Sequence, residues 1–569
     1  MRSSFLVLAS VLYTTVLAVS RIVSLDYATY RGRSFDNGIT SWLGIRYAAA
    51  PIGDLRFAAP QDPGFQGNVD AYEHGDICLS TGRLTQMRAS EDCLFLDIYA
   101  PSDADSSKPL PVYFFIQGGG FNMNSNSNYN GSGLVVASDH SIVVVTFNYR
   151  VGPYGFLASS EVISSGSSTT NNGLRDQIKA LEWVNKHISH FGGDPNHVVL
   201  GGDSAGAASI GLLLTMNGGM PTKLYHAAAA ESVSFAPILT ISESQYQFDK
   251  LVHRTHCTSG DASAVISCLR QLTTFELQRQ NRPIPYPDSR PNNPPLFMWN
   301  PVLDNDLIHD YTYQAFNTGA FQHIPVIFGD DTNGGTVFAP RWTNSLERSN
   351  QFLLEQFPQL TTTDISHINT LYPIQGPYFA HAGRFWRRTA DAYGEMRYMC
   401  PNLFIATAFA THAPQTPCWS YRWNVEDPHQ MAEGYGVPHV VELHAIWGPE
   451  NTNGGSPWSY FSDSTFPTSN IINGASVGKN AWVVPVAQRY WTRFITDLDP
   501  NGHESQSQAD DGNNKKWDRW DEAGVEGRQR WGKRMRFDGN EADMGMETIG
   551  EDLRRRCEYW WSIGVKLRQ

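Results

Sequence analysis

Ser204 lies in Gly202-Asp203-Ser204-Ala205-Gly206, a serine with a glycine two residues away on each side. An apolar run at residues 197–200 precedes it, and the helix-forming stretch Ala207-Ala208-Ser209-Ile210-Gly211-Leu212-Leu213-Leu214 follows. Strand, sharp turn and helix in that order predict a nucleophile elbow, whose tight backbone pushes the serine hydroxyl into a cleft. Gly202 and Gly206 remove Cβ atoms where strand and helix approach each other. The helix N-terminus then faces any oxyanion that develops on an attacked carbonyl. Upstream, the apolar run at 111–116 enters Gln117-Gly118-Gly119-Gly120-Phe121. A glycine run just after a strand lets backbone N–H groups come close to a ligand, as an oxyanion hole requires.

The elements that must hold these residues are also legible. The apolar, β-branched runs at 111–116, 141–147, 197–200 and 324–328 read as buried strands. Between them, Leu174, Ile178, Leu181, Trp183, Val184 and Ile188 recur at helical spacing over residues 173–189. Alternating strands and helices imply an α/β chain with a largely parallel sheet. Residues 503–520 are polar and charge-rich and read as a solvated excursion. Aromatic and amphipathic patterning returns at 531–561, so residues 21–569 are expected to form one domain.

Composition narrows the setting. The 569 residues are 41% hydrophobic, 12% aromatic and 17% charged, which excludes a disordered chain, a collagen-like fibre and a polytopic membrane protein. The net charge of −13, with no basic cluster, makes nucleic acid and anionic membrane surfaces poor partners. Residues 1–20 combine a basic start, an apolar stretch and small residues suited to cleavage, which predicts a secretory signal peptide. No later run is long enough to span a membrane, and a soluble, extracellular product is expected.

Seven cysteines in such a chain imply disulfides. Cys78 with Cys93 and Cys257 with Cys268 would each close a short loop. Cys400 with Cys418 is the favoured third pair, leaving Cys557 free, although either of those two pairing with Cys557 stays open. Asn130-Gly131-Ser132 is a possible glycan acceptor. Paired CxxC spacing, HExxH and a phosphate loop are all lacking, so no metal or organic cofactor is expected.

Phe191-Gly192-Gly193-Asp194-Pro195 followed by the Ser204 pentapeptide, together with Glu91-Asp92-Cys93-Leu94-Phe95-Leu96, resembles the two signature segments of the type-B carboxylesterase/lipase family. Leu43-Gly44-Ile45-Arg46-Tyr47, Asn148-Tyr149-Arg150-Val151-Gly152 and Asn172-Gly173-Leu174-Arg175-Asp176-Gln177 are similar to further blocks in family order. The resemblance implies an α/β-hydrolase fold, with a large, mostly parallel central sheet flanked by helices and long insertions forming the cleft. It also implies a Ser, acid, His triad in that order. Ser204 matches the nucleophile. His439, in Gly436-Val437-Pro438-His439 before Glu442, matches the general base, and the amides of Gly119, Gly120 and Ala205 match the oxyanion donors. Gln117 stands where many members carry histidine.

The acid departs from the pattern. In Gly329-Asp330-Asp331-Thr332-Asn333-Gly334-Gly335-Thr336 the family glutamate position is Gly334. Asp331, or else Asp330, is the candidate substitute; another carboxylate, or a dyad without an acid, are the alternatives. The expected function is secreted serine hydrolysis of a small-molecule carboxylic ester. A non-hydrolysing binding protein of the same fold, or an acyl-transfer, thioesterase or lactonising enzyme, would use the same residues. The Asn-rich stretch 122–130 and the aromatic segments 297–299, 378–386 and 447–461 are candidates for the cleft wall.

Overall fold

A computed structural model of the protein describes residues 19–105, 107–125, 127–287, 293–374, 379, 381–462, 478–502, 515–521 and 531–569. The expected signal segment up to residue 18, the polar stretch 503–514 and Tyr378 lie outside the described residues.

Eleven strands form the central sheet: β1 (Arg33–Ser34), β2 (Ile39–Arg46), β3 (Phe95–Pro101), β4 (Leu110–Ile116), β5 (Val143–Phe147), β6 (Gly193–Asp203), β7 (Ala227–Glu231), β8 (Val326–Asp331), β9 (Cys418–Asn424), β10 (Lys533–Asp538) and β11 (Gly545–Thr548). Their spatial order is β11-β10-β9-β8-β7-β6-β4-β5-β3-β2-β1. Every pairing from β10 to β5 is parallel, and the antiparallel pairings lie toward the two edges. The four strands read from sequence are β4, β5, β6 and β8. They are apolar on both faces because both faces are covered: Val112, Phe114 and Ile116 of β4 belong to one hydrophobic layer, Tyr113 and Phe115 to the other.

The helices that matter for the site are α1 (Asn172–His187), α2 (Ala205–Thr215), α3 (Trp386–Gly394), α4 (Cys400–His412), α5 (Leu443–Ile446), α6 (Val483–Asp497) and α7 (Glu551–Ile563). α1 falls where the helical spacing predicts it. The residues of α2 from Ala205 to Leu214 are all buried, which explains why that segment is apolar all round rather than amphipathic. The three longest excursions, 232–325, 332–417 and 425–532, leave the carboxyl ends of β7, β8 and β9. In a parallel sheet that is the end where sites are built.

Cys78–Cys93 and Cys257–Cys268 are bonded as expected, but the third disulfide joins Cys400 to Cys557. This corrects the expected Cys400–Cys418 pair. Cys400 opens α4 and Cys557 lies on α7, which packs against it, with the Trp561 indole donating to the Cys400 carbonyl at 2.9 Å. Cys418 begins β9 and is the buried, free thiol. Among the described residues no helix is long and apolar enough to cross a membrane.

Candidate active site

β6 delivers Ser204 to the start of α2 with φ 51° and ψ −114°, a strained conformation for a residue with a side chain. The strain is fixed from both sides. The Ser204 amide donates to the Glu231 carbonyl at 3.0 Å, and the Ala208 amide donates back to the Ser204 carbonyl at 2.9 Å. A Cβ on Gly206 would lie 1.9 Å from the Ile116 carbonyl oxygen, so only glycine permits this approach of helix to strand. The hydroxyl-bearing residue is left half-buried at the carboxyl edge of the sheet.

The glycine loop is tied to this elbow. The Gly118 amide donates to Asp203 Oδ1 at 2.8 Å. Gln117 braces the loop from behind, donating through Nε2 to Asn124 at 2.9 Å and to Asn148 at 3.1 Å, while its carbonyl accepts from the Tyr149 hydroxyl. Among the described residues the amides of Gly119, Gly120 and Ala205 donate to no protein acceptor, as donors reserved for a ligand should. The Phe297 ring lies against Gly120, where a Cβ would be 2.2 Å from it. Phe297 is therefore an aromatic candidate that reaches the oxyanion loop. Trp447 is core, packed on Phe115 and Tyr129, and Trp386 is buried against Phe379.

His439 is carried by the loop before α5, and that loop is laced to the one bearing Gly334. The Val437 amide donates to Asn333 Oδ1 at 3.0 Å, and the Asn333 amide donates to the Val437 carbonyl at 2.9 Å. The framework for an acid-to-histidine contact is present, but among the described residues no carboxylate makes it. Among the described residues neither ring nitrogen of the buried His439 has a hydrogen-bond partner. The ring is flanked by aromatic faces instead, Tyr398 at 4.1 Å and Phe338 at 5.2 Å between centroids. Burial, and then the Arg397 cation, push the His439 pKa down to about 3.

Asp331, the favoured substitute acid, does not hydrogen-bond to His439. Its Oδ2 accepts from the Val440 amide at 2.6 Å and the Ser232 hydroxyl at 2.7 Å, and that hydroxyl also lies 2.8 Å from Glu442 Oε1. One hydroxyl proton cannot serve both carboxyls. Burial and the neighbouring Glu442 charge hold the Asp331 pKa well above the usual carboxylate range, and burial raises Glu442 as well, so the pair retains a proton. Asp330, one residue earlier on the strand, points to the opposite face. It accepts from Asn402 at 2.6 Å and sits 3.5 Å from Arg534, with burial pushing its pKa up to about 6.

Arg397 and Tyr398, which sequence reasoning missed, come from one π-helical turn (Glu395–Met399) between α3 and α4. The extra residue in such a turn re-aims side chains, and no local sequence signal announces it. Phe338 was also missed, on the 332–417 excursion.

Comparison with known proteins agrees with this geometry. A model of the carboxylesterase family matches residues 19–531. The chain is 29% identical to secreted lipase 4 of Gibberella zeae over 495 residues, 84% of this chain and 82% of the lipase. It is 32% identical to the para-nitrobenzyl esterase of Bacillus subtilis over 452 residues, 75% of this chain and 83% of that enzyme. The crystal structure of Aspergillus niger EstA superposes with a TM-score of 0.86 at 36% identity, covering 97% of this chain and 99% of that one. Elbow, glycine loop, sheet order and relatives converge: the chain belongs to the carboxylesterase family of α/β-hydrolase fold and is a carboxylic ester hydrolase.

Proposed function

We propose that the protein is exported and cleaves small-molecule carboxylic esters through an acyl intermediate on Ser204, with His439 as general base and no triad carboxylate. The strained Ser204 at the strand-to-helix turn carries this reading, because that backbone is costly unless the hydroxyl it exposes is used. The Ser204 oxygen attacks the ester carbonyl while His439 takes its proton. The amides of Gly119, Gly120 and Ala205 hold the oxyanion, and the protonated His439 returns its proton to the departing alcohol. Water, deprotonated by the same histidine, then releases the acid. Tyr398 and Phe338 take over the orienting part of the missing acid's work by fixing the imidazole plane. Three disulfides support the extracellular setting, as does similarity to a lipase named as secreted.

The test is hydrolysis of 4-nitrophenyl butyrate by wild type and Ser204→Ala. Loss of turnover in a folded variant supports the reading. Unchanged turnover removes Ser204 from the reaction.

A further inference from the structure

Arg397 is the unusual charge in this site. It is 3% exposed, yet among the described residues it forms no ion pair. Among the described residues the groups that contact its side chain are uncharged. Nε donates to the Ser234 hydroxyl at 3.0 Å, the guanidinium lies 5.9 Å from the centre of the Phe297 ring, and the phenols of Tyr398, Tyr393 and Tyr286 are close enough to feel its charge. Its backbone is pinned by the Phe235 amide, which donates to the Arg397 carbonyl at 3.0 Å.

A buried guanidinium without a counter-charge is costly, and the usual remedy is a carboxylate held by two parallel N–H···O bonds. The position of this one says where such a carboxylate would come from. Phe297, beneath the guanidinium, abuts Gly120 of the oxyanion loop, and the cation acts directly on His439. Arg397 is thus tied to both halves of the site by one intervening ring each: Phe297 lies between it and Gly120, and Tyr398, the next residue, lies on the His439 ring. The π turn that aims it there is also the turn that places Tyr398 on the His439 ring.

We propose that Arg397 is the specificity-determining residue of the site and that the preferred substrates are esters bearing a free carboxylate near the scissile bond. This rests on the ester-hydrolase reading above and names its substrate class. Pairing has a second consequence. The unpaired cation opposes protonation of His439, and an anion bound to Arg397 offsets that opposition. The charged substrate thereby assists the base that acts on it, so the preference acts on kcat as well as KM.

Two probe series locate the carboxylate. Monoethyl malonate, succinate, glutarate and adipate carry it on the acyl side, and 3-acetoxypropionate carries it on the alcohol side. Each is compared with the neutral ester of matching length, for wild type, Arg397→Gln, Arg397→Lys and Ser204→Ala. In wild type at least one charged probe should exceed its neutral match in kcat/KM by roughly tenfold or more, the size expected of a hydrogen-bonded charge. Arg397→Gln should abolish or reverse that ratio, and Arg397→Lys should retain part of it, since charge stays but the planar fork is lost. The proposal is overturned if wild type favours the neutral member of every pair, or if the preference survives in Arg397→Gln. The wild-type series and Arg397→Lys decide the matter if Arg397→Gln does not fold. Persistent hydrolysis by Ser204→Ala would instead overturn the underlying ester-hydrolase reading, so the two failures are distinct.

Discussion

The Tyr398 ring lies 4.1 Å from the His439 imidazole, inclined by 32°, and borders the space into which a side chain at position 334 would grow. A Cβ built on Gly334 would meet Tyr398 Cδ2 at 3.4 Å. An aromatic face therefore supports the histidine at the flank where the family places a carboxylate. In the mechanism proposed, that face fixes the ring and offsets part of the cost of the transient imidazolium by a cation–π contact of about 0.5–2 kcal/mol. Tyr398→Ala should lower kcat by about tenfold or more, while Tyr398→Phe, which keeps the face, should stay near wild type. Equal losses in both variants would assign the effect to the hydroxyl.

Restoring the acid is a separate test. The backbone of Gly334 lies outside the left-handed region, and its virtual Cβ makes only ordinary contacts, so a side chain is tolerated locally. A triad acid is typically worth about 10⁴-fold in turnover. Gly334→Glu should recover part of that, raising kcat on 4-nitrophenyl butyrate by about tenfold or more, with Gly334→Ala as the control that does not. No gain from the glutamate would mean that Tyr398 closes the path to the ring.

Acid tolerance follows from His439. In the mechanism proposed, His439 must be neutral to accept the Ser204 proton, and burial with Arg397 holds its pKa near 3 rather than the usual 6.5 or so. The acid limb of kcat/KM should therefore lie well below that of an ordinary histidine, with activity persisting to about pH 4 while circular dichroism shows a folded chain. Arg397→Gln removes a cation and should move the limb upward. Stability changes with the opposite benefit: the unfolded chain protonates first, so stability falls as pH drops from about 6.5 toward 3.

The Asp331–Glu442 pair has the reverse sign. Its protonated state is held above the usual carboxylate range, so its contribution is complete below pH about 4 and is lost as pH rises through the raised value. Asp331→Asn should flatten the decline of Tm as pH rises above about 4. An unchanged slope would show that other groups set it.

Cys400–Cys557 closes a sequence separation of 157 residues and is worth about 4–5 kcal/mol in the loop-entropy model. Non-reducing peptide mapping should link these two peptides, and Cys418 should alkylate only after denaturation. A Cys400–Cys418 link would contradict the structure.

What could be read from sequence was what local chemistry dictates. The Ser204 elbow, the glycine loop and the strands β4, β5, β6 and β8 each announce themselves within about a dozen residues. The Cys400 partner did not, because it depends on α7 packing on α4 from more than a hundred residues away. The direction of Asp331 was equally hidden: one turn of the strand end sends it to Ser232 and the Val440 amide instead of the histidine ring. Arg397 and Tyr398 reach the site through a π turn set by packing, and neither belongs to a recognisable motif.

The most direct test of the central claim is covalent labelling with a fluorophosphonate, followed by tandem mass spectrometry of the adduct. A single modification on Ser204, slowed by orders of magnitude in His439→Ala, is the predicted result. A folded wild-type protein that takes up no label, or takes it up equally when Ser204 is alanine, would contradict the account.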